Sequence, residues 1–356
     1  SILIIDDNFR IIYVNDEVES LSGYSKKEVI GQDFRKFLAE CSVPLVQDRY
    51  VRRLRGEGVP AQYEFKILRK NGEIRDVEIK TSYIVDRHGN MRIIAQLLDV
   101  TERKRIEEER TRFEERLSAL NAYGQSLNMA KNMEEIYKLT LDATEKTLGF
   151  EYASVLMVEG KALCLVANRG YSKNLSLRLP LDGNKGVTVR VARTGKPVFV
   201  PDISENETYI SGGEGISSEL VVPIKVRNKV LGVLNIESKK LAAFDEEDKK
   251  LLEILASHTA IAISNLKRQE KLSALNTYGR SLNRAGNMEQ VYALTLDTME
   301  KTLGFRFVDI FLVERKMLRL AATHGLSDAV ALRMTLDGNK GVTVRVARTG
   351  KPVFVP

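Results

Sequence analysis

The stretch LDGNKGVTVRVARTGKPVFVP, Leu181–Pro201, recurs letter for letter as Leu336–Pro356. At this offset of 155 residues the match runs back without a gap to Leu117 and Leu272, at roughly two-thirds identity. A self-match at fixed spacing marks a duplicated module, and it decides how the chain divides. Within the repeated words, Val187 to Ala192 read as a short helix ended by Thr194-Gly195. Gly195 suits the positive φ of a position just past a helix, Pro197 bars continuation, and Val198-Phe199-Val200 re-enter a strand. The first copy goes on through SELVVPIKVRNKVLGVLNIES and a long helical pattern, while the second stops at Pro356 and the chain opens at Ser1 inside an apolar run. The sequence is therefore expected to be a fragment at both ends.

A length of 356 residues with 43% hydrophobic side chains predicts two to three domains, each with its own core. No apolar run is long enough to span a bilayer, so no membrane contact is expected within these residues. Cys41 and Cys164 stand apart and outside any Cys/His cluster, which fits a reducing, cytoplasmic setting and predicts no metal site. The net charge of +7 comes from 55 basic and 48 acidic residues that are interleaved. The densest basic patch, RYVRRLRGEG at 49–58, reads as a solvated helix face, so no nucleic acid partner is expected.

The first hundred residues carry strand signals. ILIID and RIIYVN are short β-rich runs around Asp7 and Asn8. Later runs alternate with period two through Tyr63, Phe65 and Ile67, then Val77, Ile79, Thr81 and Tyr83, then Ile93, Ala95 and Leu97. Asn71-Gly72 and Gly89-Asn90 supply hairpin turns. The block from Asp16 to Gly56 reads as short helices, with Ser25 and Glu28 spaced as a capping box for a helix through Ile30. The sum is one antiparallel sheet with helices across one face.

In this order Asn15, GYSKKEVIGQ (Gly23 to Gln32), RKNGEIRDVEI (Arg69 to Ile79) and DVTERK (Asp99 to Lys104) resemble a PAS domain with its exit motif. The resemblance implies a sensor pocket between sheet and helices, for which Phe34, Tyr63 and Phe65 are the candidate lining residues. It also implies a signal exit at Asp99 and Thr101, whose side chains can accept from amides opening the next helix. Where the flavin-binding subfamily has a reactive Cys this chain has Phe34, which disfavours a flavin adduct. The one His of this segment, His88, falls in a hairpin turn rather than on a pocket helix, against haem.

From Glu102 onward RKRIEEERTRFEERLSALNAYGQSLN is helical, with Ile106, Phe113, Leu120 and Leu127 repeating every seven residues and Leu117 in an alternate position. Arg103, Arg110 and Gly124 interrupt that seam. A second helix from Asp245 to about Leu282 keeps the spacing at Ile254, Ile261, Leu275 and Leu282, with His258 on the same seam. These helices predict a parallel homodimer that relays signals. His258 lacks the acidic neighbour and following Pro of a sensor-kinase phosphoacceptor and is read as structural.

Each repeat opens with an amphipathic helix, Met133, Ile136, Leu139 and Leu141 in the first, and continues in strands. GVTVRVARTGKPVFVPD (Gly186 to Asp202), LVVPIKVRNKVLGVLNIES (Leu220 to Ser238) and FDEEDKKLLEILASHTAIAISNL (Phe244 to Leu266) resemble a GAF domain. Such domains bind cyclic nucleotides, bilins or other small effectors, or nothing. At the cyclic-nucleotide positions the chain keeps Lys239, Phe244 and Asp248 but has Ser238 and Lys249 in place of Asn and Glu. Cys164-Leu165 lies in a strand and reads as a buried thiol rather than a bilin attachment site. SGGEGI at 211–216 reads as a loop, and no phosphate loop, ATP lid or nucleophile-and-base set is present, so no catalytic residue is expected.

The expected fold class is α+β, with antiparallel-sheet sensor domains joined by long helices. The division is PAS at 1–104, a connecting helix at 105–132, GAF at 133–265, a second connecting helix at 266–287 and a truncated GAF at 288–356. The expected function is the sensory region of a cytoplasmic signal-transduction protein that binds a small-molecule effector. By resemblance the output is a histidine kinase with a response regulator as partner. The alternatives are the regulatory region of a transcription factor or cyclic-dinucleotide enzyme, or a ligand-free scaffold. The residues name no cofactor.

Overall fold

The computed structural model describes all residues except 86–89, 172–175, 184, 207–208, 211–212, 326–332, 338–340 and 356. Two compact units, Ser1–Glu115 and Arg116–Pro356, make up the chain.

In the first unit come β1 (Ile2–Ile5), β2 (Ile11–Val14), α1 (Glu17–Ser22), α2 (Lys26–Val29) and α3 (Val43–Leu54), then β3 (Gln62–Leu68), β4 (Ile74–Val85), β5 (Met91–Asp99) and the start of α4 (Thr101–Met129). The strands form one antiparallel sheet in the order β2-β1-β5-β4-β3. Period-two alternation places Phe65, Ile67, Val77, Ile79, Thr81, Ile93 and Ala95 on one face, buried with Val18, Leu21, Val46 and Tyr50 of the helices. The alternation outruns the cover: Tyr83, predicted with the inner set, is 60% exposed. At the head of α2 the Ser25 N–H donates to the Glu28 carboxylate at 2.9 Å, closing the capping box, and the helix ends at Val29, one residue short of expectation. Lys70 and the two Ser25 donors hold that carboxyl at about 2. His88 and part of its hairpin lie outside the described residues.

The basic patch at 49–58 differs from its reading as a solvated face. Arg53 is buried, its Nη2 donating to the Pro60 carbonyl at 2.6 Å, and the Arg49 guanidinium lies 4.1 Å over the Tyr63 ring. The reason is that α3 covers the sheet, so its arginines lay their methylene stems along apolar wall.

The second unit continues with α5 (Met133–Lys146), β6 (Tyr152–Glu159), β7 (Ala162–Arg169), β8 (Arg178–Pro180), α6 (Val187–Thr194), β9 (Val198–Val200), β10 (Ser218–Val226), β11 (Lys229–Ser238) and α7 (Glu246–Leu282). Its sheet runs β8-β7-β6-β11-β10-β9. Gly195 ends α6 with φ 64°, as read. The central strands β10 and β11 are buried on both faces: Leu220, Val222, Leu234 and Ile236 belong to one side, Val221 and Val233 pack with α6 on the other. Each such side chain contributes about 1.5–3 kcal/mol by leaving water. Asp245 caps α7, accepting from the Asp248 N–H at 2.8 Å. The Thr140 and Thr259 hydroxyls, both fully buried, join α5 to α7 at 2.9 Å.

The helical seams are divided in use. Leu120, Gly124 and Leu127 are buried within the chain, and a Cβ on Gly124 would stand 2.7 Å from Nδ1 of His258. Gly124 is thus the slot that receives the His258 ring rather than a defect of the seam. Ile261 and Leu275 on α7 face solvent at 44% and 38% exposure.

Beyond α7 come α8 (Met288–Lys301), β12 (Val308–Glu314), β13 (Met317–His324), β14 (Arg333–Thr335) and α9 (Val342–Thr349). The pairing Val308↔His324 in β12 and β13 repeats Ala153↔Arg169 in β6 and β7 at the 155-residue offset, down to the bulge between Ile310 and Phe311. The edge of β12 that corresponds to the side of β6 joined by β11 has no strand on it among the described residues. No helix is long and apolar enough to cross a membrane among the described residues.

Candidate functional sites

Two candidate hollows, one in each unit, differ in chemistry; Lys239 and Phe244 line a further, more open one of about 290 Å³ beside Phe150 and Tyr152. The first lies under the helices of the N-terminal sheet, with a volume of about 80 Å³. Phe34, Tyr63 and Phe65, the residues singled out from the sequence, all line it, together with Ile79, Ile93 and Ala95. Polar groups in its wall are committed elsewhere: Ser22 Oγ donates to the Val18 carbonyl at 2.7 Å, Thr81 Oγ1 to Ala61 at 3.0 Å and Arg53 to Pro60. Tyr50 donates to the Asp6 carbonyl, and burial pushes its hydroxyl up to about 12, so it stays neutral. What remains facing the hollow is hydrocarbon, which gives water few partners.

The exit residues sit where β5 hands the chain to α4. Asp99 Oδ1 accepts from the Thr101 N–H at 2.9 Å, as the sequence implied. Thr101 Oγ1 does something different: it accepts from the Asp76 N–H at 2.9 Å, tying the helix start to β4. Lys104 adds an ion pair to Glu64 at 2.6 Å.

The second hollow, about 30 Å³, lies between β6, β11, β10 and the head of α6. Its lower wall is apolar (Leu156, Leu165, Leu177, Leu179, Val187), and its upper wall is polar. Glu219 and Glu237 stand directly opposite one another across β10 and β11, and Asn235 opposes Ser154 of β6 on the same face. Tyr171 and Tyr209 donate to the Glu237 carboxylate at 2.6 and 3.1 Å. Glu219 Oε2 and Asn235 Oδ1 are buried with no hydrogen-bond partner among the described residues. Burial, reinforced by the charge of Glu237, holds the Glu219 carboxyl well above the usual range, and burial raises Glu237 also. Burial and then Glu237 push the Tyr171 hydroxyl upward too.

None of Lys239, Phe244 and Asp248 lines this hollow. Lys239 Nζ lies 5.3 Å from the Tyr152 ring centroid, and Phe244 is buried edge-on between Phe150 and Phe199. Asp248 sits in the α7 cap and accepts from Arg116 at 3.0 Å. Glu219, Asn235 and Glu237 were missed because the runs SELVVPIKV and VLGVLNIES were read only as strands. The available signal was Asn235 and Glu237, two polar residues two apart in β11, and Glu219 standing before the apolar run of β10.

The PAS domain family model matches residues 1–102 and the GAF domain family model residues 130–264. The chain therefore carries a PAS sensor domain followed by a GAF sensor domain. The Nif-specific regulatory protein of Azospirillum lipoferum is 30% identical over 121 residues, covering 32% of this chain and 19% of that protein. The free methionine-R-sulfoxide reductase of Saccharomyces cerevisiae is 38% identical over 73 residues, covering 20% of this chain and 41% of that one. The solved GAF domain of a phosphoenolpyruvate-protein phosphotransferase from Coxiella burnetii is 23% identical, covers 44% of this chain and 98% of its own, and has a TM-score of 0.41. The chain spans about a fifth of the Nif-specific regulatory proteins it matches.

Proposed function

We propose that these residues are the sensory region of a cytoplasmic signalling protein, in which the PAS hollow takes a small apolar effector and the helices carry the response onward. The observation that carries this reading is the 80 Å³ hollow in whose wall Ser22, Tyr50, Arg53 and Thr81 turn their polar groups to backbone carbonyls. Strain at β4 and β5 reaches α4 through Thr101 and Asp76. Xenon serves as the test probe. It is expected to shift resonances of Ile93 and Phe65, and Ala95→Val, which fills the hollow, is expected to abolish the shift while changing stability by less than about 1.5 kcal/mol. A wild-type protein whose lining residues ignore xenon refutes an open apolar pocket; mass spectrometry of apolar compounds that co-purify with the protein then identifies the natural effector.

The repeated pairings of β12 to β14 support reading residues 288–356 as part of a second GAF domain. Exposed Ile261 and Leu275 support a parallel homodimer through α7. Light scattering of the full chain at high micromolar concentration is expected to give twice the monomer mass, and Ile261→Asp with Leu275→Asp to return it to one; a wild-type monomer refutes the dimer. For the output, the likeness to Nif-specific regulatory proteins supports the regulatory reading over the histidine kinase with its response regulator.

A further inference from the structure

The GAF hollow presents buried oxygens that have no hydrogen-bond donor among the described residues. Glu219 is 3% exposed and Asn235 6% exposed, both line the cavity, and each has an oxygen with no partner among the described residues. Leaving such groups buried and unsatisfied is costly, and two carboxyls placed directly opposite across two strands cannot both ionise there without a counter-charge. Glu219 and Glu237 are such a pair, at 3% exposure each. The cation whose charge acts on Glu219 is Arg190, which is exposed on α6 and makes no ion pair with it among the described residues. Glu237 is already oriented by the Tyr171 and Tyr209 hydroxyls.

We propose that this hollow is a binding site for a compact organic ammonium, a primary amine on a short apolar body, held by Glu219 and Asn235 with Glu237 supplying the second charge. The complement is chemical. A protonated amine carries three N–H donors and no acceptor, so it can donate to Glu219 Oε2 and Asn235 Oδ1, and its charge is the one that lets the buried carboxyl pair ionise. A volume of about 30 Å³ is small, so the body that accompanies the ammonium head is limited to a methyl or ethyl group. The wall below it, Leu156, Leu177 and Val187, suits a hydrocarbon body. A neutral alcohol offers one donor, and an anion would be repelled. This concerns a second cavity in a different domain, so it stands or falls apart from the apolar effector of the PAS hollow.

The test is amide exchange across β10 and β11 in the full chain with methylammonium, ethylammonium, tetramethylammonium or ethanol. Primary amines at ten times their dissociation constant are expected to slow exchange about tenfold, because they bind only the folded state. Tetramethylammonium, which has no N–H, and ethanol are expected to leave it unchanged. Glu219→Gln and Asn235→Leu are each expected to fold and to lose the response. The proposal is overturned if no primary amine slows exchange, which leaves a bound water as the occupant. It is equally overturned if tetramethylammonium or ethanol acts as strongly as methylammonium, or if both variants respond like the parent.

Discussion

Replacing Gly232 with alanine is expected to cost about 3 kcal/mol, the upper end of the range for overpacking a well-filled interior. Gly232 lies in β11 opposite Met157 of β6, where a Cβ would stand 2.3 Å from the Leu156 carbonyl oxygen and 2.7 Å from the Met157 sulfur. The nearest obstacle is backbone in a paired strand, so relief requires β6 and β11 to separate. That pairing is the centre of the six-stranded sheet and forms the floor of the GAF hollow. Amide exchange in the full chain should therefore accelerate by about two decades at Val155, Leu234 and Ile236 while β4 and β5 of the PAS domain keep parental rates. Unchanged protection at β6 would mean that the strands are not packed this closely.

Glu219→Gln is expected to act in the opposite direction, and only above mildly acidic pH. The Glu219 carboxyl is raised in the folded state by burial and by Glu237, so the folded protein holds a proton that the unfolded chain releases. A raised carboxyl contributes stability that is whole below the usual glutamate range and is lost as pH climbs through the raised value. Glu237 is raised as well and adds to the same slope, while Arg190 opposes it; the Tyr171 hydroxyl facing Glu237, itself pushed upward by burial, remains neutral across this window. Parent stability should thus fall as pH rises from about 5 toward 8. Glutamine carries no charge to bury, so the variant should gain about 1–3 kcal/mol at pH 8, the cost of leaving a buried polar group unsatisfied, and almost nothing at pH 5. Denaturant midpoints of the GAF transition at the two pH values check this, and an equal gap at both would show that the carboxyl is ionised throughout.

Local chemistry made much of the fold legible. Period-two alternation located β3, β4 and β5, the Ser25 and Glu28 pair located the start of α2, and Gly195 with Pro197 located the end of α6. The PAS hollow was legible too, because Phe34, Tyr63 and Phe65 belong to alternations whose inner face is set once the sheet has one covered side. The polar group of Glu219, Asn235 and Glu237 was not. Of the positions singled out from the sequence, Lys239 and Phe244 line a separate hollow with Phe150 and Tyr152, while Asp248 lies in a helix cap. Likewise Gly124, read as an interruption, is the seat of His258 from a helix that begins more than a hundred residues later.

The sequence by itself determined the duplicated module, the helices and strands, and the turns between them, since each depends on backbone preferences and side-chain periodicity within a few neighbouring residues. Only the tertiary structure decided that Glu219 and Glu237 oppose each other, that Asn235 shares their face and that no donor among the described residues reaches two of their oxygens. Those facts arise from pairing β10 with β11 beneath α6, where burial strips away water and turns ordinary polar residues into unmet acceptors, a property that no short stretch of chain possesses alone.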